Sequence, residues 1–300
     1  MLNRDGGTLR TMDLDAFAAE ATAIFARHGH QLDCRIVAGS EIVAALEAAA
    51  ATPGIDALLA GGGDGTISSA AGIAFRSGVA LAVLPAGTMN LFARALKLPM
   101  DPRQALEALA SGQAGTVDVA TANGRVFVHQ FGVGIHARLV RIRETMTYRS
   151  RIGKMLASLR AVGAAVINPP NFEAELHTAA GTEKRRVSGI AISNNPLGSG
   201  SLPVPHAERL DTGRLGVYVV APMGTGSLIR LAFALFLGTW RESPMVSESE
   251  AGEVTLRFPH RKRSARAVID GELIRLENEI ALRIHPGALK VIEPRRASES

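Results

Sequence analysis

The chain has 300 residues, 47% of them hydrophobic, and a mean hydropathy of +0.15, which is enough apolar material for a sizeable core and for more than one domain. Lysines and arginines outnumber acids 33 to 28, a formal net charge of +5 that favours anionic partners, while two tyrosines and one tryptophan are too few for a nucleic-acid stacking platform. No apolar run reaches the roughly 18 residues of a membrane span, no signal peptide is expected from an N-terminus that is polar within three residues, and the single cysteine, Cys34, excludes an internal disulfide and fits a reducing cytoplasm.

In chain order, residues 13–28 place Leu14, Phe17, Ala18, Ala21, Ile24 and Phe25 at helical spacing, with Asp13 as the capping side chain. A strand is expected over 32–37, and Ser40 is placed to cap a helix over 41–50. An apolar strand over 56–60 runs into GGGDGT at 61–66, and residues 67–75 continue as a helix. A further strand over 80–84 runs into PAGTMN at 85–90 and a helix over 91–96. Asp101 then caps a helix over 102–111, with Pro102 in its first turn. This alternation predicts a parallel sheet, an α/β Rossmann-like domain over 1–117.

After residue 115 the texture changes. Strands are expected over 116–120, 125–131, 172–178, 186–193, 214–220, 253–258, 265–269 and 280–284, separated by Gly, Pro and Asn turns. Helices are expected over 135–147, 152–166 and 227–237. The pattern predicts a β-sandwich-rich second domain over 118–290, followed by a tail over 291–300. The apolar stripe in 228–237 is assigned to core packing rather than to lipid.

The two strand-to-helix junctions carry the chemistry. Glycines lack a Cβ and let backbone N–H groups close on an anion, and the N-terminus of the following helix favours phosphate. Asp64 would repel a bare phosphate, so it is assigned as a ligand for a metal, Mg²⁺, or as an orienter of a hydroxyl. A dinucleotide fingerprint fails because Thr66 stands where the third glycine belongs. A P-loop fails because Met155 follows Gly153-Lys154. Neighbouring strand ends of a parallel sheet form one crevice. Gly62, Gly63, Gly65 and Thr66 with Gly87, Thr88 and Asn90 are therefore expected to cradle the phosphates of one nucleotide.

GGGDGT followed by PAGTMN resembles the diacylglycerol kinase catalytic family, whose superfamily includes sphingosine and ceramide kinases, bacterial lipid kinases and, more distantly, NAD kinases. Asn3 with Gly6-Gly7-Thr8, Ser193-Asn194-Asn195-Pro196 and Asp270-Gly271-Glu272 agree in order, so the resemblance spans nearly the whole chain. It implies a Rossmann-like domain, then a β-sandwich, with the active site in the inter-domain cleft. It implies transfer of the γ-phosphoryl group of ATP, with Mg²⁺, to a hydroxyl of diacylglycerol or a sphingoid or ceramide-type lipid. Asn3 and Thr8 join the nucleotide site by the same resemblance, and Asp118 joins Asp64 at the metal. Glu272 becomes the general base, with Asp270 beside it as a further catalytic acid. Leu210–Leu215 is similar to a family turn that holds a structural Mg²⁺, here at Asp211, although Thr212 interrupts it.

Three departures from the family pattern stand out. Leu91 occupies a position where many relatives carry an acid, and His136 replaces an acid within residues 132–137. Only Met1-Leu2 precedes Asn3 where the family has a full apolar strand, so the first strand is expected to be cut short, with the native start upstream. Two other readings remain open: an NAD kinase-like enzyme, which shares the glycine-rich core, and a nucleotide-binding regulatory protein whose turnover is weakened by Leu91.

The basic residues are clustered. Arg138, Arg141, Arg143, Arg149, Arg151, Lys154 and Arg160 face Glu144 alone in sequence; Lys184-Arg185-Arg186 form a second group, and His260-Arg261-Lys262-Arg263 with Arg266 a third. With no membrane span, they predict a cytoplasmic enzyme that is peripheral at the inner face of an anionic membrane, where its lipid substrate lies, and no nucleic-acid partner. The resemblance adds a homodimer.

Overall fold

The computed structural model describes residues 1–145, 169–198 and 205–295. Two compact units emerge, one formed by Met1–Val119 with the chain from His285 onward, the other by Ala120–Ile284.

The first unit is built on parallel strands β1 (Leu2–Asn3), β2 (Ile36–Val37), β3 (Ala57–Gly62) and β4 (Ala80–Pro85) in the order β2-β1-β3-β4. Every residue of β4 is buried, as a strand covered on both faces must be, and this is why its sequence is an unbroken apolar run. Helices α1 (Leu14–Arg27), α2 (Ile42–Ala50), α3 (Asp64–Ser77), α4 (Leu91–Ala95) and α5 (Pro102–Ala110) follow in the expected alternation. Asp13 accepts from Ala16 N–H, and Asp101 accepts from Arg103 and Gln104 N–H, so both predicted caps form. The Ser40 cap does not: Glu41 stands at the N-cap of α2 without a side-chain bond. The strand expected over 32–37 shrinks to Ile36–Val37, which alone pair with β1. Cys34, ahead of it, is half-buried, and burial pushes its thiol pKa up.

Strand β5 (Gln113–Ala122) leaves this unit and the last strand, β16 (Glu279–Glu293), returns to it. The domain end expected at 290, with a tail after it, is therefore corrected. Leu289 and Val291 are fully buried, and Val291 pairs in parallel with Leu81 of β4. Pro286-Gly287 has the composition of a turn, yet the strand passes through it, with Gly287 at φ +60°.

The second unit is a β-sandwich. One sheet is antiparallel throughout, in the order β12 (Val246–Ala251), β11 (Leu215–Val220), β10 (Gly189–Asn194), β7 (Gln130–Gly134), β14 (Arg266–Ile269), β15 (Glu272–Arg275). The other comprises the first part of β16, then β13 (Glu253–Arg257), β8 (Phe172–Thr178) and β9 (Gly181–Val187), with β6 (Arg125–Phe127) hairpinned onto β5. The facing sides interlock Phe131, Ile190, Val217 and Ala267 from the first sheet with Ala174, Leu176, Leu256 and Leu282 from the second. The single strands expected over 125–131 and 186–193 are each divided between two observed strands. Strand β12 was missed because VSESEA alternates no apolar face; its middle residues are exposed, as suits a charged sheet edge.

Helix α6 (Ile135–Thr145) follows β7 where expected. Helix α7 (Thr225–Leu237) packs Leu228 and Leu231 against Tyr218, Met223 and Trp240, but leaves Ile229, Phe233 and Leu237 exposed. Core packing therefore accounts for one face of the expected stripe and not for the other. The helix expected over 152–166, and Arg149, Arg151, Lys154 and Arg160, lie outside the described residues. No helix among the described residues is long and apolar enough to cross a membrane.

The two caps give a paired test of the fold. Asp101→Ala is expected to lower stability by about 1 kcal/mol, whereas Ser40→Ala should stay within about 0.5 kcal/mol of the parent; urea midpoints measured side by side decide it.

Candidate active site

β1, β3 and β4 run parallel as neighbours, so their C-terminal ends line up at one edge of the sheet. Three glycine turns follow them: Gly6-Gly7, Gly62-Gly63 and Ala86-Gly87. They are in contact through backbone. Thr8 N–H donates to Ala86 O at 2.9 Å, and Ala86 N–H to Gly62 O at 3.0 Å. A Cβ on Gly87 would sit 2.6 Å from Gly63 Cα, and one on Gly62 would meet the Thr66 side chain at 2.6 Å. The approach of two backbones requires glycine here.

Helix α3 starts directly after this junction. Its N-cap, Gly63, makes no side-chain cap bond, so the first-turn N–H groups and the positive end of the helix dipole are aimed at the turns. Gly65, Thr8 and Thr88 are exposed beside them. Asn3 and Thr66 have a different role from these: both are buried, and Asn3 Nδ2 donates to Thr66 Oγ1 at 3.0 Å, locking the first turn to α3. Asn90 holds the left-handed conformation (φ +50°) and closes on Gly87 twice, accepting from its N–H at 2.8 Å and donating to its carbonyl at 2.9 Å.

Asp64 joins the two junctions. Its oxygens accept from Asn90 N–H at 3.1 Å and Leu91 N–H at 2.7 Å, capping α4 from outside that helix. Leu91, which departs from the family's acid, is buried and contributes only its backbone. Asp118 lies on β5, 2% exposed, and its Oδ1 accepts from Gly287 N–H at 2.8 Å. Asp5, which sequence reasoning passed over, accepts from Gly39 N–H at 2.7 Å and so ties the first turn to the segment after β2.

In the second unit, Asp270-Gly271 forms the two-residue turn between β14 and β15, with φ of +46° and +87°, as a type I′ hairpin demands. The Asp270 carboxylate accepts from the N–H groups of Val128, His129 and Gln130, each at 2.9 Å. It organises the turn between β6 and β7. Glu272 is exposed, and its carboxylate meets the Arg125 guanidinium at 2.5 Å. Nothing in the sequence flags Arg125, since the hairpin between β5 and β6 brings it to Glu272 only in the folded unit.

Asp211 pairs with Arg209 at 2.9 Å at the surface. Among the described residues no group of three or more His, Cys, Asp or Glu side chains gathers at Asp64, Asp118, Asp211 or elsewhere. A cage made of protein ligands alone is therefore absent from this set. Sites where one carboxylate joins waters and substrate phosphates need no such cage.

The glycine contacts predict a contrast. Gly87→Ala is expected to destabilise the chain by about 1–3 kcal/mol, since its methyl collides with backbone that has no rotamer to yield. Gly63→Ala meets only Gly87 Cα at 3.5 Å, an ordinary contact, and should cost less than about 1 kcal/mol. Thermal melts of the two variants check the difference.

Comparison with known proteins agrees with this geometry. Residues 1–122 match the diacylglycerol kinase catalytic domain, and residues 130–293 match the YegS C-terminal NAD kinase beta sandwich-like domain. A Staphylococcus epidermidis protein named "Putative lipid kinase" is 26% identical over 244 residues, covering 79% of this chain and 76% of its own. A Bacillus anthracis crystal structure described as a diacylglycerol kinase superposes with a TM-score of 0.70 at 17% identity, over 98% of this chain and 95% of its own. A second from the same organism reaches a TM-score of 0.72 at 20% identity, over 98% and 96%. With both of its units matched in order, the chain belongs to the diacylglycerol kinase catalytic-domain family of kinases, with a second domain of the NAD kinase sandwich type.

Proposed function

We propose that the protein is an ATP-dependent lipid kinase that transfers the γ-phosphoryl group to a hydroxyl of diacylglycerol or of a related sphingoid or ceramide-type lipid. The observation that carries this reading is the backbone-to-backbone approach of Gly63 and Gly87 beneath the open N-terminus of α3. That arrangement offers the first-turn N–H groups of α3 and a positive dipole end to a polyphosphate, while the Gly87 N–H is held by Asn90 Oδ1. Thr8 and Thr88 add exposed hydroxyls at the same edge.

The residues fit Mg²⁺ as a partner of the nucleotide. Each Asp64 oxygen accepts one backbone N–H and keeps lone pairs, so Asp64 is the protein ligand, directly or through water, and Asp118 supports that network. When bound, the metal neutralises charge on the transferring phosphates. Transfer breaks the bond from the γ-phosphorus to the β–γ bridging oxygen and forms one to the lipid oxygen, with ADP leaving. The hydroxyl proton passes to Glu272, held by Arg125. Asp270 is a positioning residue, since its carboxylate is occupied by three backbone donors. A lipid acceptor requires visits to a membrane surface. The NAD kinase-like reading draws support from the sandwich match, but a hydroxyl-bearing lipid better suits a chain whose first domain matches diacylglycerol kinases.

Radiolabelled ATP incubated with the protein, a panel of lipid extracts and NAD separates the readings. Label is expected in a lipid fraction; label in NAD with none in lipid would reverse the assignment. Glu272→Gln is expected to lose about 10²-fold or more in turnover while ATP binding, read by equilibrium dialysis, survives. A protein that binds ATP yet labels no acceptor would be the regulatory alternative.

A further inference from the structure

Two sequence motifs take no part in the chemistry above: Ser193-Asn194-Asn195-Pro196, at the end of β10, and Leu210–Leu215, leading into β11. In the second unit they meet. Asn195 is fully buried and sits in the left-handed region at φ +66°. Its side-chain oxygen accepts from the Thr212 N–H at 2.9 Å and from the Thr212 hydroxyl at 2.6 Å. Both lone pairs of that oxygen are then used. The Thr212 oxygen accepts in turn from Arg214 N–H at 3.3 Å. One hydroxyl thus ties the 211–213 turn to the end of β10 and to the start of β11.

Asn194 carries the connection onward. Its N–H donates to His129 O at 2.9 Å, and its side-chain amide donates to Val128 O at 3.4 Å. The N–H groups of these same two residues, with that of Gln130, go to the Asp270 carboxylate. The 128–130 turn is therefore gripped through its carbonyls by Asn194 and through its N–H groups by Asp270, the residue that opens the hairpin presenting Glu272. On the other side of Asn195, Leu197 N–H donates to the Tyr218 hydroxyl at 2.7 Å and Leu197 O accepts from the Arg241 guanidinium. Segment 194–197 is anchored at both ends.

The family resemblance of Leu210–Leu215 implies a structural Mg²⁺ at Asp211, and the donor set does not fit one. A hard cation is held by oxygen ligands that face it. Asn195 Oδ1 faces two hydrogen-bond donors, and Asp211 Oδ1 faces the Arg209 guanidinium at 2.9 Å. The hydrogens on Asn195 come from Thr212, the residue that interrupts the family turn. We propose that the Thr212 hydroxyl takes the place of the structural cation and that Thr212 is a positioning residue: the bonds running from it through Asn195 and Asn194 to the 128–130 turn and Asp270 hold Glu272 in place. The effect on turnover rests on the reading of Glu272 as the base; the brace itself does not.

The test is amide hydrogen exchange of the full chain, without nucleotide, read at residues 128–130. Thr212→Val, which removes the hydroxyl and keeps the shape, should raise exchange there by about tenfold. Thr212→Ser keeps the hydroxyl and should stay within about twofold of the parent. Thr182→Val, which removes a hydroxyl bonded instead to His177 on β8, should leave these amides unchanged. If Thr212→Val does not fold by circular dichroism, Thr212→Ala is read in its place, with the same direction of change. Melting of the nucleotide-free parent in Mg²⁺ and in EDTA should agree within about 2 °C, since a bound structural cation would raise the midpoint in Mg²⁺. With ATP and the lipid acceptor, Thr212→Val should lower kcat by about tenfold and leave KM for ATP within about twofold, and Thr212→Ser should restore kcat. Unchanged exchange in Thr212→Val, a midpoint raised by Mg²⁺ in the parent, or faster exchange with kcat unchanged would each overturn the proposal. A parent that labels no lipid would sink the kinase reading instead, and exchange and melting would still decide the brace.

Discussion

The Asp64 carboxylate accepts one N–H from Asn90 and one from Leu91, and by doing so fastens the turn after β4 to the turn after β3. Much of the first unit's chemistry depends on that bond pair. Helix α4 has five residues, too few to hold itself in water, and Asn90 before it sits in the left-handed conformation that asparagine enters more readily than most non-glycine residues. The charged acceptor fixes both in place. It also brings Gly87 against Gly63, so that donors from two strand ends share one small volume. The Asp64 carboxylate is thus part of what shapes the two glycine turns.

The second unit repeats the principle with different geometry. Asp270 directs its carboxylate at three consecutive N–H groups, satisfying donors that a tight turn would otherwise leave to water. Glu272, two residues on, pairs with Arg125 and is exposed. In this Asp-Gly-Glu turn the first carboxylate is spent on backbone donors and the second is not. The hairpin reading and the functional reading of this tripeptide are therefore compatible, since the I′ turn is what presents the glutamate.

Charge is distributed with similar economy. Most ion pairs of the surface are exposed pairs such as Arg27–Glu107 and Arg103–Glu20, and such pairs contribute little to stability. Arg138, Arg141, Arg186, Arg261, Lys262 and Arg266, with Glu173, line one cavity of the second unit.

Local chemistry explains which features were legible from sequence alone. The βα alternation, the caps at Asp13 and Asp101, and the two glycine junctions are written in stretches of a few residues, where apolar period and turn chemistry act before any tertiary contact. The same holds for β8, whose bounds were anticipated at both ends. Other features depend on residues far apart in the chain. Ser40 has the chemistry of a cap but the backbone enters α2 at Glu41. β16 runs through Pro286-Gly287 because β4 offers it a partner, and β12 is a strand because β11 does. The Asn3–Thr66 bond, the Arg125–Glu272 pair and the convergence of Arg138, Arg186 and Lys262 join segments tens to more than a hundred positions apart. Sequence determined which groups were available and which strands and turns could carry them; only the folded chain decided which of those groups meet, because long-range pairing is set by strand order and packing rather than by local preference.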